Sequence, residues 1–226
     1  MSRRRQFKGR DIHGILLLDK PSGMTSNDIM QRVKRLYDAR KVGHTGSLDK
    51  TATGLLPLCF GDATKFSGYL LDADKHYQAS CSLGIETTTG DAAGEVVKEM
   101  PIPDLNEAQI DGVLKEFRGD IQQIPPMYSA LKHKGQRLYK LAYQGIEVER
   151  PARPVKIYHL KLLSQEKNGF EIDVRCSKGT YIRTLAEDIG KRLGCGAHIS
   201  SLRRLGVGPF SENGMIDYPT LEALAL

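Results

Sequence analysis

The chain has 226 residues, 40% of them hydrophobic, which suits one large domain or two small ones with a real core. Of its 33 basic residues five (Arg3, Arg4, Arg5, Lys8 and Arg10) lie in the first ten positions, where there is no acid, and the remaining 28 face 27 acids. The body is therefore nearly neutral, which excludes a broad positive field: a polyanion would be held by a local patch together with this tail.

The tail, residues 1–10, reads either as a flexible solubilising leader or as a basic arm that lies on nucleic acid. The longest aliphatic run near the start, Ile15 to Leu18, is too short for a signal core or a membrane span, so a cytoplasmic protein with no membrane partner is expected. The four cysteines, Cys59, Cys81, Cys176 and Cys195, form no CxxC pair. The Cys195/His198 spacing has no second ligand pair beside it, so neither a metal nor a disulfide is expected.

In chain order, Gly14 to Asp19 reads as a buried strand and Lys20 to Gly23 as a turn. Ser26 or Asn27 is placed to cap a helix whose apolar face is Ile29, Val33, Leu36 and Tyr37. Gly43 to Gly54 is a polar glycine/threonine loop with one acid, Asp49, and one histidine, His44. Such a loop between buried segments is a usual carrier of function. By itself the carboxylate is a nucleophile, a general base or a helix cap, and the histidine reads as structural. Thr64 to Leu71 reads as a short helix, and Asp74 to Cys81 begins a strand with Tyr77, Ala79 and Cys81 on one face. Glu86 to Gly94 is a polar loop, and Val96 and Val97 resume a strand.

Asn106, with Gln109 three residues on, caps a helix with the stripe Ile110, Val113, Leu114 and Phe117, ended by Gly119. Met127 to His133 reads as a strand, followed by the cluster Lys132, His133, Lys134 and Arg137 near Tyr139, which fits an RNA surface or an exposed helix start equally. Pro151 and Pro154 bracket a linker. Val155 to Ser164 and Phe170 to Ser177 form a hairpin turned at Asn168-Gly169, with Phe170, Ile172, Val174 and Cys176 on one face. A helix then starts at Tyr181 and runs to Leu193, which puts Arg183 at a helix N-terminus, where a cation is disfavoured without an anionic partner. His198 to Leu205 is a strand and Tyr218 begins a last helix. Short strands mixed with helices, and hairpins rather than regular βαβ units, make the fold class α+β.

Five stretches in order, LLLDKPSGMTS (16–26), GHTGSLDKTATG (43–54), DKHYQA (74–79), CSKGTYIRT (176–184) and CGAHISSLRRL (195–205), resemble the motifs of the TruB-type tRNA pseudouridine synthases. The likeness covers residues 10–226. It implies a long curved mixed sheet flanked by helices, with the catalytic loop in a cleft, and residues 11–226 as the catalytic domain. Two departures are Lys50, where the family usually has proline, and the end at Leu226, where bacterial members usually continue into a C-terminal PUA domain, so that domain is expected to be absent from this chain.

The resemblance further implies isomerisation of uridine to pseudouridine without a cofactor. It implies tRNA as the partner, through the T-arm stem-loop and T-loop uridine 55, and a monomer is expected. Asp49 matches the catalytic aspartate and Arg183 the arginine that pairs with it. Tyr77 and Tyr181 match the pocket tyrosines, Leu202 an apolar wall, His44 an RNA-recognising histidine, and Lys20-Pro21 a motif that buttresses the loop. Chemistry agrees for Tyr77, since a base taken out of its stack needs an aromatic platform. Two other classes are an RNA-folding chaperone with dispensable catalysis, for which Lys50 is the hint, and an Asp49 hydrolase, for which no second carboxylate is evident.

Overall fold

The computed structural model describes residues 9–224, so the outermost positions of the basic tail, Arg3, Arg4, Arg5 and Lys8, lie outside it. In chain order it holds β1 (Gly14–Lys20), α1 (Ser26–Leu36), β2 (Val42–His44), β3 (Thr53–Phe60), a 3-10 turn (Gly61–Phe66), α2 (Ser67–Asp72), β4 (Lys75–Leu83), β5 (Ile85–Thr87) and β6 (Val96–Glu99). There follow α3 (Glu107–Glu116), β7 (Gly119–Gln123), β8 (Lys132–His133), β9 (Gln136–Arg137), α4 (Leu138–Ala142), β10 (Arg153–Glu166) and β11 (Gly169–Cys176). The chain closes with α5 (Ile182–Arg192), β12 (Ala197–Val207), β13 (Phe210–Ser211), β14 (Ile216–Asp217) and α6 (Tyr218–Leu224). The main sheet is mixed, in the order β14-β1-β3-β12-β4-β11-β10-β7, with β2 on β3 and β13 on β12; this is the expected α+β architecture.

Two compact units share the chain: residues 1–76 with 203–226, and residues 77–202. In the first, β3 is buried along nearly its whole length because strands flank it on both edges. β1 runs antiparallel to it, Leu18 opposite Leu56 and Lys20 opposite Gly54. The end of β12 runs parallel to it, Arg204 opposite Gly54. Leu18, Ile29, Val33, Leu56, Leu58 and Leu221 form the core beneath α1 and α6. In the second unit β10 pairs antiparallel with both β11 and β7. The expected β11 face is present: Phe170, Ile172, Val174 and Cys176 are all buried. Ile110 and Leu114 of α3 and Leu185 and Ile189 of α5 are buried with them.

Several boundaries differ from the sequence reading. The α1 cap is Thr25, not Ser26 or Asn27: its side chain accepts from the Asp28 amide and Asp28 reaches back, a capping box. The expected strand over Met127–His133 shrinks to Lys132–His133, paired with Gln136–Arg137 across a tight turn at Lys134 and Gly135, both at positive φ. Pro154 lies inside β10 instead of a linker; it faces Gln122 in the β7 ladder. The hairpin turns one residue earlier than expected, at Lys167 and Asn168, and the Thr64–Leu71 helix is a 3-10 turn running into α2. α3 ends at Glu116, and Gly119 opens β7 at φ 89°.

Candidate active site

The segment between β2 and β3 has few side chains that can pack, yet its backbone is bonded at almost every step. The Thr45 amide and hydroxyl both donate to the Pro57 carbonyl, at 3.3 and 3.4 Å. The Leu48 amide donates to Ser26 Oγ at 2.8 Å, and that hydroxyl donates back to the Leu48 carbonyl at 3.2 Å. The Asp49 carbonyl takes the Ala52 amide at 3.2 Å, and the Lys50 carbonyl takes the Gly23 amide at 2.8 Å. Ser22 Oγ donates to the Thr51 carbonyl at 3.1 Å. Leu48 and Ala52 are buried as apolar pegs on either side of Asp49, which is itself exposed. An exposed carboxylate on a backbone fixed this closely is preorganised: little ordering is left to be done when a ligand arrives.

Two buried cations lie under this loop. Lys20 is fully buried and donates from Nζ to the carbonyls of Pro21 (2.8 Å), Ala52 (2.7 Å) and Lys50 (3.4 Å). Burial pulls its ammonium down to about 8, against the pull of the nearby Asp49 carboxylate and with the push of Arg204. Pro21 is exposed and follows directly. Arg204 is 1% exposed and donates from Nε to the Leu55 carbonyl at 2.8 Å and from Nη2 to the Gly46 carbonyl at 3.2 Å. His44 ends β2 at the loop's entrance. Burial, then Arg204, hold its imidazole below the ordinary value, and its Nδ1 is buried with no hydrogen-bond partner among the described residues. Thus Lys20, Pro21, His44 and Asp49 are brought together in the first unit.

The other four expected residues lie in the second unit. Tyr77 is 8% exposed on β4, and the half-buried Leu202 is on the neighbouring strand β12. Tyr181 caps α5 through its backbone and has no side-chain cap of its own. Gln123 replaces one: its Oε1 accepts the Tyr181 amide at 3.0 Å and its Nε2 donates to the Tyr181 carbonyl at 3.2 Å. Arg183, 5% exposed, donates to the carbonyls of Thr89 (2.6 Å) and Tyr128 (2.8 Å). These carbonyls ease the cation expected to be disfavoured at the start of α5. Burial raises the Glu187 carboxyl one turn further on, against the opposing charges of Lys191 and Arg183.

Sequence reasoning misses Ser26 as a loop brace, Gln123 as a clamp and Arg204 altogether. The first two leave no signal, since a serine beside a helix start and a glutamine in GDIQQIPP are ordinary. Arg204 leaves a faint one. Side chains alternate along a strand, so in the doublet Arg203-Arg204 one arginine must face inward. Arg203 is the outward one, bidentate to Asp19 at 3.0 and 2.7 Å.

The fold class follows from solved structures. The chain superposes on a chain of the crystal structure of a Cbf5-Nop10-Gar1 complex with a TM-score of 0.75 and 34% identity, covering 93% of this chain and 54% of that one. A second match, TM-score 0.71 and 31% identity over 93% of this chain and 53% of that one, comes from the structure of an H/ACA RNP bound to a substrate RNA containing 2′-deoxyuridine. The chain thus spans about half the length of these structural relatives. The fold is that of pseudouridine synthases, which are isomerases.

Residues 34–182 match the model of the TruB family pseudouridylate synthase N-terminal domain, and residues 183–226 match that of the tRNA pseudouridylate synthase B C-terminal domain. Curated relatives include tRNA pseudouridine synthase B of Nitrosococcus oceani, 59% identical over 225 residues, which are 100% of this chain and 73% of that protein. The protein of the same name from Chromohalobacter salexigens is 60% identical over 224 residues, 99% of this chain and 72% of the relative. The chain belongs to the TruB family of pseudouridine synthases.

Proposed function

We propose that this chain converts a uridine in the T loop of tRNA, conventionally numbered 55, to pseudouridine, with Asp49 as the catalytic carboxylate. The bond from ribose C1′ to N1 of the base breaks, the base turns, and C5 joins C1′. The C5 proton leaves and N1 gains one, so the reaction is an isomerisation and needs no redox partner. The observation that carries the reading is Asp49 itself, an exposed carboxylate on a loop whose backbone is bonded to α1, β1, β3 and β12. An aspartate carboxylate held in a fixed place can act as a nucleophile.

In this reading Arg183 pairs with the carboxylate and fixes its direction, as a planar guanidinium does well. Tyr77 stacks on the extruded base, Tyr181 and Leu202 line its pocket, and Lys20-Pro21 supports the loop. His44 meets the RNA, and a nucleotide atom would satisfy its buried, unpartnered Nδ1. The partner is the T-arm stem-loop, recognised by shape as folded RNA usually is, by a monomer working in the cytoplasm. Among the described residues no helix is long and apolar enough to cross a membrane.

The test is tritium release from tRNA labelled at uridine C5, with wild type and Asp49→Asn side by side and RNA binding measured for both. The amide is nearly isosteric but neither a nucleophile nor a carboxylate base. The expected result is release by wild type only, with affinities within about tenfold, about 1.4 kcal/mol. Equal release by both removes Asp49 from the mechanism. Tight binding with no release from either favours an RNA-folding chaperone.

A further inference from the structure

We propose that Arg204 is a positioning residue for the reaction: its guanidinium ties together the two limbs of the loop that carries Asp49. The inference rests on Asp49 being the reactive group. One limb is held at the Gly46 carbonyl, three residues before Asp49, and the other at the Leu55 carbonyl, six after it. Both bonds come from one rigid, planar group, so the guanidinium fixes the separation of the limbs nearer to Asp49 than the Thr45 bonds to the Pro57 carbonyl do. The other bonds to the residues between these two carbonyls, from Ser26, Ser22, Gly23 and Lys20, hold single points of the loop to α1, β1 and the turn between them, and none of them joins one limb to the other.

The backbone of Arg204 is as closely fitted as its side chain. It pairs in parallel with Gly54 at the exit of the loop. A Cβ on Gly54 would lie 2.2 Å from the Arg204 carbonyl oxygen, and Gly54 itself has φ 99°. Gly46 lies equally open to the guanidinium, a Cβ there standing 3.8 Å from Nη1. On the other edge of β3, Gly54 faces Lys20, whose Nζ holds the Ala52 and Lys50 carbonyls. The loop is therefore gripped across its limbs by Arg204 and along its second limb by Lys20.

Stability alone does not account for an arginine here. The side chain is 1% exposed, and its hydrogen bonds among the described residues go to the neutral carbonyls of Leu55 and Gly46. A buried cation paired only with neutral carbonyls is costly, and an apolar residue of similar volume would often be no worse for the fold. A residue that breaks a local rule in this way marks a functional demand. The demand that fits is geometric. Misplacing a reacting group by about 1 Å costs on the order of 100-fold in rate.

The experiment uses the full chain with Arg204→Met, Arg204→Lys and Arg204→Ala, and reads three quantities for each: thermal unfolding, the Kd for labelled tRNA, and the single-turnover rate of tritium release at saturating enzyme. Arg204→Met is expected to bind RNA within about threefold of wild type and to react about 100-fold more slowly. Arg204→Lys, which keeps the charge but replaces the planar fork with a single donor atom, is expected to fall between Arg204→Met and wild type. Methylguanidinium added to Arg204→Ala is expected to raise the rate at least threefold without changing Kd, and a merely structural residue would not give this split.

A folded Arg204→Met with a single-turnover rate within threefold of wild type overturns the proposal. So does failure of both Met and Lys variants to fold, which assigns Arg204 to the scaffold. The underlying reading fails separately: undiminished release by Asp49→Asn sinks it whatever the Arg204 variants do.

Discussion

Gly54 lies between two buried cations, Lys20 across one strand edge and Arg204 across the other, and it fits there only because it has no side chain. A Cβ at this position would meet backbone atoms of Arg204 at 2.2 and 2.8 Å, and backbone cannot swing aside as a side chain can. Its φ of 99° is also one that alanine rarely adopts. Gly54→Ala is expected to lose more than about 4 kcal/mol of stability, from overpacking and backbone strain together. Gly112 is the control: it sits in α3 at an ordinary φ with open space around it, so Gly112→Ala is expected to gain about 1 kcal/mol. Urea midpoints of the two variants check both signs.

Lys20 gives a pH dependence with a definite sign. Burial holds its folded-state value near 8 instead of the ordinary 10.5. Below pH 8 both folded and unfolded chains carry the proton, and the buried charge costs stability. Between pH 8 and 10.5 the unfolded chain binds more protons, so the folded state gains as pH rises. Relative to Lys20→Met, which cannot titrate, the wild type is expected to gain up to about 1.4 kcal/mol per pH unit across that interval. Unfolding free energies of both proteins at pH 7, 8, 9 and 10 measure it. A constant difference would mean that the ammonium is not depressed.

Tyr77 separates substrate contact from core packing. It is buried on a strand face with Ala79 and Cys81, as the alternation in sequence expects, and so it looks like a core residue. If it stacks on the extruded base, Tyr77→Phe keeps RNA affinity and loses much of the rate. Tyr77→Leu then loses more, since stacking is worth about 1–3 kcal/mol per base, or about 5- to 150-fold. Single-turnover tritium release is the readout. Wild-type turnover in Tyr77→Leu would make it core only.

Much of the scaffold is legible in the sequence because it is local. The β1 run, the α1 and α3 faces, the Asn106 capping box and the β11 alternation each follow from neighbours a few residues apart. The loop's importance is legible for the same reason, as twelve consecutive residues with little in them that packs. What holds the loop is not local. Ser26 meets Leu48, Lys20 meets Ala52 and Arg204 meets Gly46 across separations of 22, 32 and 158 residues, and no pattern in a single chain announces such pairs. The region 127–137 fails for a different reason: of its apolar residues only Tyr128 favours a strand, and the ladder holds just Lys132–His133 against Gln136–Arg137.

The basic tail makes a prediction about salt. Arg10 is tied down by its amide to the Asp38 carbonyl and by a bridge to Ala39. Deleting residues 1–8 removes Arg3, Arg4, Arg5 and Lys8 and leaves that anchor intact. The deletion is expected to weaken tRNA binding and to flatten its salt dependence, by about 0.7–0.9 in the log–log slope for each phosphate that the shortened chain leaves unneutralised. Bound-state turnover should change little. Binding isotherms over a salt series decide it, and an unchanged slope would show that the tail does not touch RNA.

Lys50 stands where the family usually has proline, and the braces on the loop explain how the chain tolerates it. What the neighbours hold at this position is the carbonyl, which accepts from the Gly23 amide at 2.8 Å and from Lys20 Nζ at 3.4 Å. Proline has the same carbonyl, and the stiffness its ring would bring is already supplied by these bonds and by Ser22 on Thr51. The lysine side chain is exposed, and its charge helps hold the Asp28 carboxyl low, after the larger effect of Thr25. Lys50→Pro is therefore expected to leave the single-turnover rate within about threefold of wild type. It takes away at most one cation that could neutralise a phosphate, so the salt slope should fall by no more than about 0.9. The same tritium assay, with tRNA affinity measured over a salt series, tests both parts. A tenfold or greater gain in rate would mean that the lysine misdirects Asp49, and that the carbonyl bonds do not replace the ring.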